Sequence, residues 1–273
     1  MARFKYAFDE AKIQRYIKEK RGKGEGGNYR PWLTIQDVPS SGRVHRIPST
    51  KSNRLHHALS DLEKYSFLFY DWKDEVIDIR EQYPLDREIT RRIAQECGIK
   101  HPQDPDTGCD IVMTTDFLLT TVVNGEQILV ARAVKPSDQL TNRVIEKLEL
   151  ERRYWKELKT DWGIITDNEL PTSQALALDW ARNVFDFRGL DQPDANFWQD
   201  TCTRILEGLS KYQTTSLKEL SEMLAMDTGV VITAVRHLVW HKHISLDMTQ
   251  RFSLETAIPE IIIKLPETVR RSA

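Results

Sequence analysis

Apolar positions change their spacing several times along the chain, and each change predicts an element. Ile13, Tyr16 and Ile17 recur at helical intervals and predict an amphipathic helix over about 9–20. The glycines of RGKGEGG (21–27) break it and predict a mobile basic loop. Residues 28–59 read as extended segments and turns, with a turn at PSSGR (39–43) and a strand at RLHHAL (54–59). SDLEKYSFLFYDW predicts a helix from Ser60, and EVIDIREQYPL (75–85) an alternating strand ended by proline. Residues 86–108 read as irregular. VMTTDFLLTTVVNGEQILVARAV then predicts strands at 111–123 and 126–134 around Asn124-Gly125, a dipeptide that meets the positive-φ requirement of a two-residue hairpin turn. A long helix is expected from Ser137 to Lys159, with Ile145, Leu148, Trp155 and Leu158 as its apolar stripe. WGIITD (162–167) reads as a short buried strand.

A strand–helix–strand crossover after an antiparallel pair predicts an α/β fold with a mixed sheet covered on both faces. DNELPTS (167–173) reads as a domain boundary, giving a first domain over 1–168 (1–59 basic, 60–168 core) and a second over 169–273. The second is mainly helical. TTSLKELSEMLAMDTGVVITAVRHLVWHKHISLDM (214–248) resembles a winged helix-turn-helix, with ISLDM and RFSLE as wing strands. Its second helix offers Arg236 and Lys242 as fixed cations among Val, Leu and Trp240, a composition that favours protein docking over base reading.

Composition changes this picture little until charge is divided along the chain. The 273 residues are 40% hydrophobic and 29% charged, in the soluble globular range. No apolar run reaches the ~18–20 residues of a bilayer span, and the Met-Ala-Arg-Phe-Lys start is not followed by a secretory apolar region. Three cysteines (Cys97, Cys109, Cys202) without a C-x-x-C spacing read as reduced thiols in a cytosolic protein. The net charge of −2 hides +8 in residues 1–60 and −10 in the rest. A basic arm on an acidic body suggests a polyanion partner, nucleic acid before membrane; a solvated charged surface reads equally well. Lys20, Arg21, Lys23 and Arg30 of the basic segment, with Arg43, Arg46 and Arg54, are candidates for phosphate contacts.

The hairpin carries the candidate chemistry. A two-residue turn pairs Val123 with Glu126, so Asp116 lies opposite Ala133 and diagonal to Lys135 on one face. Such a pair is commonly a plain cross-strand ion pair. It also suits phosphodiester hydrolysis, where a carboxylate holds Mg²⁺ against the phosphate and a lysine sits beside the attacking water. Ser60-x-x-Glu63 matches a capping box at a helix start.

Asp116 and Lys135 occupy the first and last places of the signature of the restriction-endonuclease-like nuclease core. LSDLE (59–63), DIREQYPL (78–85), TTDFLL (114–119), VKP (134–136) and EKLELERRYW (146–155), with PWLTIQDVPSSGRVHRI (31–47), closely resemble the TnsA endonuclease family of Tn-seven-type heteromeric transposases. The resemblance implies catalytic residues Glu63, Asp116 and Lys135. It also implies two Mg²⁺ ions, replaceable by Mn²⁺, on Glu63, Asp116 and the carbonyl of Val134. It further implies cleavage of the 5′ strand at transposon ends in the bacterial cytoplasm, beside a TnsB-type transposase and a TnsC-type AAA+ regulator. The chain departs from the family at Ala133, where relatives carry Gln, and at Lys73, where an acid is expected; Glu149 or Glu151 could compensate from behind the site. Alternatives are a restriction- or resolvase-type nuclease, a weakened assembly and DNA-binding factor of the same complex, and a winged-helix regulator.

Overall fold

The computed structural model describes residues 6–39, 43–170, 172–188, 190, 195–212, 217–246 and 263–264. The chain divides into two compact units, 1–170 and 171–273.

The first unit runs α1 (Glu10–Lys18), β1 (His45–Pro48), β2 (Leu55–Ala58), α2 (Asp61–Trp72), β3 (Val76–Pro84), α3 (Arg87–Cys97), β4 (Thr114–Val123), β5 (Glu126–Val134), α4 (Asn142–Glu157) and β6 (Asp161–Ile165). One sheet has the order β3-β4-β5-β6, antiparallel until the last pair, where β6 joins β5 in parallel after the α4 crossover. The hairpin holds the predicted register: Val123 pairs with Glu126 and Phe117 with Arg132, and Asn124 and Gly125 take φ of 53° and 84°. Neighbouring residues of β4 face opposite layers. Leu118 packs with Ala131, Ile93, Leu150 and Trp155 under α3 and α4, while the Phe117 ring meets Tyr70 of α2 at 5.5 Å.

Burial on both faces explains several departures from the pattern. β3 does not alternate: Ile79, Arg80, Glu81 and Gln82 are all buried in succession. Residues 87–97, expected to be irregular, form α3, because Asp86 caps it by accepting from the N–H groups of Glu88 and Ile89 and Gly98 closes it at φ 65°. Its charged face obscured a narrow stripe of Thr90, Ile93 and Ala94. The helix expected from Ser137 starts at Asn142, capped by Thr141, after a single 3₁₀ turn at Ser137–Gln139. Leu148 and Trp155 of its predicted stripe are buried, but Ile145 and Leu158 are exposed; Leu150 and Tyr154 replace them. β6 lies at the sheet edge and is only half-buried.

The basic N-terminal part is not an arm. Phe8 N–H donates to Asp104 (2.8 Å), Arg87 pairs with Glu10 (2.8 Å), and Tyr29 stacks on Tyr83. The glycine loop is tied back by Gly22 N–H to Arg30 O (2.5 Å) and Arg30 N–H to Lys23 O (3.1 Å), so the predicted mobile loop is a pinned turn. The predicted turn at 39–43 falls largely outside the described residues. The β1–β2 ribbon, of which only β2 was foreseen, is held to the sheet by a buried ion cluster. Glu81 of β3 accepts from both Arg54 terminal nitrogens (2.8 and 2.5 Å) and lies 2.8 Å from His56 Nδ1.

The second unit comprises α5 (Thr172–Arg182), α6 (Ala195–Tyr212), α7 (Leu217–Met223), α8 (Thr228–Trp240) and a pair of two-residue strands, β7 (Ser245–Leu246) and β8 (Ile263–Lys264). α7 and α8 meet at 117°, an angle typical of helix-turn-helix units, and Asp227 caps α8. Leu217, Leu220, Val231, Val235 and Leu238 are buried. Arg236 donates to the Trp180 carbonyl (2.8 Å). β7 lies within the predicted strand ISLDM; the partner predicted at RFSLE lies outside the described residues. Among the described residues no single helix is long and apolar enough to cross a membrane.

Burial alone would raise the Glu81 carboxyl, but His56 and Arg54 outweigh it and hold the group at about 2. A depressed carboxyl stabilises the fold above its ordinary 4.5 and ceases to do so as pH falls toward about 2. Glu81→Gln should therefore cost about 3 kcal/mol at pH 7, by leaving buried cations unbalanced. In urea melts the gap to the parent should narrow steadily below pH 4.5.

Candidate active site

Three elements converge at one end of the sheet. Glu63 enters from the first turn of α2, whose start is set by Ser60 in extended conformation, its hydroxyl accepting from Glu63 N–H (3.1 Å). The Glu63 carboxylate returns to Ser60 Oγ (3.1 Å) and to Leu59 N–H (3.0 Å), so the capping reading is realised, reaching one residue further back than the usual box. This fixes a buried carboxylate on a rigid support.

Asp116 comes from β4. Its Oδ2 accepts from Val134 N–H (2.7 Å) and from Lys135 Nζ (2.7 Å), and that ammonium also donates to Val134 O (2.8 Å). Gln82 of β3 joins the two acids: its amide lies 3.3 Å from Asp116 Oδ1 and 3.5 Å from Glu63 Oε2, while its carbonyl accepts from Thr114 Oγ1 (3.0 Å). Gln82 is buried at φ 48°, a left-handed conformation that non-glycine residues seldom adopt. Glu63, Asp116, Val134 and Lys135 are thus brought together. Gln82 was missed, although it stands inside DIREQYPL (78–85), one of the segments that carry the family resemblance. Ala133, fully buried, contributes no polar atom.

The cluster is electrostatically crowded. Burial and the charge of Asp116 push the Glu63 carboxyl up. Burial pulls the Lys135 amine down, but Asp116 more than offsets this and keeps it cationic. Behind them Glu151 of α4, also buried, accepts from Thr115 Oγ1 (2.8 Å) and Trp162 Nε1 (2.9 Å), and burial together with Asp116 pushes it up to about 7. Glu149, the other candidate for support, does not reach the site, because Arg152 and Arg153 bind its carboxylate (2.7 and 2.6 Å).

The donor set suits a hard divalent cation. The Lys135 ammonium bridges a carboxylate oxygen and the Val134 carbonyl, the oxygens such a cation would take. Among the described residues no group of three or more His, Cys, Asp or Glu side chains could hold a metal. Mg²⁺ does not require one, since it commonly binds through one or two carboxylates and completes its shell with water and phosphate.

Of the predicted phosphate contacts, Lys20, Lys23, Arg30, Arg43 and Arg46 are exposed, with Arg43 also reaching Asp61 (3.0 Å). Arg21 and Arg54 are structural instead. Arg21 pairs with Asp37 (2.7 Å) and stacks on Tyr16, and Arg54 is buried against Glu81.

Residues 73–167 match the family model of the TnsA-like endonuclease N-terminal region, and 169–248 that of the TnsA endonuclease C-terminal region. The transposon Tn7 transposition protein TnsA of Escherichia coli is 49% identical over 185 residues, 67% of each chain. The chain belongs to the TnsA endonuclease family. As a TnsA-type protein it is an endonuclease subunit of a transposase. Asp116, Val134 and Lys135 lie inside the N-terminal TnsA match; Glu63 precedes it and is placed by the fold.

A carboxyl raised to about 7 when folded stabilises the protein fully below its ordinary 4.5 and destabilises it progressively as pH rises to about 7. Glu151→Gln in the metal-free protein should gain about 2–3 kcal/mol at pH 8. It should gain nothing at pH 4; equal urea midpoints for parent and variant at pH 8 would contradict a buried, reluctant acid.

Proposed function

We propose that this endonuclease is metal-dependent and cuts the 5′ strand at transposon ends, with Glu63, Asp116 and the Val134 carbonyl holding Mg²⁺, or Mn²⁺ in its place. The observation that carries this reading is the convergence on one point of two buried carboxylates, a main-chain carbonyl and an ammonium. Bound Mg²⁺ supplies charge neutralisation at the phosphate and acidifies a water.

The protein's own residues do the rest. Asp116, anchored by Val134 N–H, presents its carboxylate from a strand that cannot move without breaking the hairpin. Glu63 is held in the first turn of α2, and its carboxyl, raised by burial and by the charge of Asp116, would hold the ion as the carboxylate. Lys135 must release the oxygens it now bridges, which leaves its ammonium free to face the attacking water or a phosphate oxygen. Gln82 keeps the two carboxylates in register with each other.

In the family context the protein would act with a TnsB-type transposase, which cuts the 3′ strand, and under a TnsC-type ATPase regulator. The C-terminal unit, read as winged-helix-like, suits docking more than base reading, because Arg236 is spent on the Trp180 carbonyl. A second reading, an assembly factor with weakened cleavage, is favoured by Ala133, which leaves the middle place of the nuclease signature without a polar group.

Nicking of a transposon-end duplex with the partner proteins and Mg²⁺ decides between them. Asp116→Ala should abolish 5′-strand cleavage, and Lys135→Ala should reduce it by about 10²–10⁴-fold. Chelation should stop the reaction and Mn²⁺ restore it. Undiminished cleavage by Asp116→Ala removes this site from the reaction, and absence of cleavage by the parent under all these conditions favours the assembly factor.

A further inference from the structure

The charge asymmetry of the sequence placed phosphate contacts in the N-terminal part, yet a second cationic surface lies beside the catalytic cluster. A cleft of about 370 Å³ opens between the segment after α3 and the first turns of α4, and Lys100, His101, Asp104, Arg143 and Lys147 are among its walls. Arg143 is paired with Glu146 (2.6 Å), but the two lysines are not neutralised locally. Among the described residues neither the Lys100 nor the Lys147 ammonium has a hydrogen-bond or ion-pair partner. Arg143 reaches Glu146 (2.6 Å) and the Lys100 carbonyl (2.7 Å), which brings it to the same wall. The carboxylate of Asp104 is already spent on the N–H groups of Phe8 (2.8 Å), Asp106 (3.0 Å) and Thr107 (3.0 Å).

Helical spacing connects this cleft to the active site. Arg143, Lys147 and Glu151 follow one another at i, i+4 on a single face of α4, about 6 Å apart, and Glu151 lies behind Asp116. The first turn of α4 has no acid to balance the positive helix end, although α1, α2 and α3 each have at least one. Lys147 is also pulled below its ordinary value by burial and by the charges of Arg143 and Lys135, the crowding of like charges that an anion would relieve.

We propose that the Lys100–Arg143–Lys147 cleft carries the DNA backbone next to the scissile phosphate, resting on the nuclease reading for what lies at its end. Arg143 and Lys147, one helical turn and about 6 Å apart, are spaced to meet neighbouring phosphates of one strand, with Lys100 on the same wall. The contact is to backbone and not to bases, so it positions any sequence.

The test is fluorescence anisotropy of the full chain on a labelled duplex across a salt series, in the Asp116→Ala background so that nothing is cut. Removing three phosphate contacts should lower the salt slope by about 2–3. The Lys100→Ala/Arg143→Ala/Lys147→Ala variant should bind at least tenfold more weakly at low salt, equally for end and unrelated sequences. Lys147→Glu alone, which breaks no existing bond, should show the same direction if the triple variant fails to fold, and Lys147→Arg should restore affinity. Unchanged affinity and slope in Lys147→Glu, or no binding by the parent chain at low salt, overturns the proposal. Because binding is read without cleavage, continued nicking by Asp116→Ala would sink the catalytic assignment and leave this result standing.

Discussion

Two buried carboxylates facing one point is the constraint on which the rest of the first unit depends. In a low-dielectric interior Glu63 and Asp116 repel, and each has also left water behind. The protein offsets this with neutral donors and one cation. Leu59 and Val134 N–H groups, the Ser60 hydroxyl and the Gln82 amide bind the acids, and the Lys135 ammonium supplies the opposite charge. Burial, and after it the repulsion from Asp116, raises the Glu63 carboxyl and, one layer back, that of Glu151. A site arranged this way favours positive charge, which is the electrostatic basis of the metal-dependent reading proposed above.

Rigidity follows from the same need. Carboxylates held apart only by solvent would separate; here each is mounted on an element with its own reason to stay. α2 begins where Ser60 caps it, β4 is locked between β3 and β5, and β3 is welded to the β1–β2 ribbon through Glu81, Arg54 and His56. The next residue of β3, Gln82, takes positive φ and turns its amide toward the acids. The ion cluster and the strained glutamine are adjacent, so the strand that is anchored most firmly is also the one asked to hold an unfavourable conformation.

Much of this was legible in the sequence because it is local. The hairpin register rests on Asn124-Gly125 and period-two alternation, and it places Asp116 and Lys135 side by side as the structure does. The Ser60 cap was equally local. What escaped depends on distant partners. Arg21 and Arg54 looked like free cations until Asp37 and Glu81 were found beside them. Glu149 and Glu151 are two positions apart on one helix, and only the packing of α4 decides that the second is buried near Asp116 while the first pairs with Arg152 and Arg153. α3 was lost because seven of its eleven residues are polar or charged, Arg87, Glu88, Thr90, Arg91, Arg92, Gln95 and Glu96, leaving too narrow a stripe to read as a period.

Ala133 has a geometric reading of its own. A methyl group at that place leaves the space between Asp116 and Lys135 open, and their 2.7 Å contact closes it directly. A longer polar side chain there would compete for the same oxygens. With alanine, the orientation of Asp116 falls to Val134 N–H, Lys135 and Gln82, so the work of one residue on β5 is shared among neighbours on β3 and β5. Shared support is less specific than a dedicated ligand, because each partner has another bond to satisfy: Gln82 to Thr114 and Lys135 to the Val134 carbonyl. The site therefore holds its acids through a network whose members also hold one another, so that moving Lys135 would disturb both Asp116 and the Val134 carbonyl.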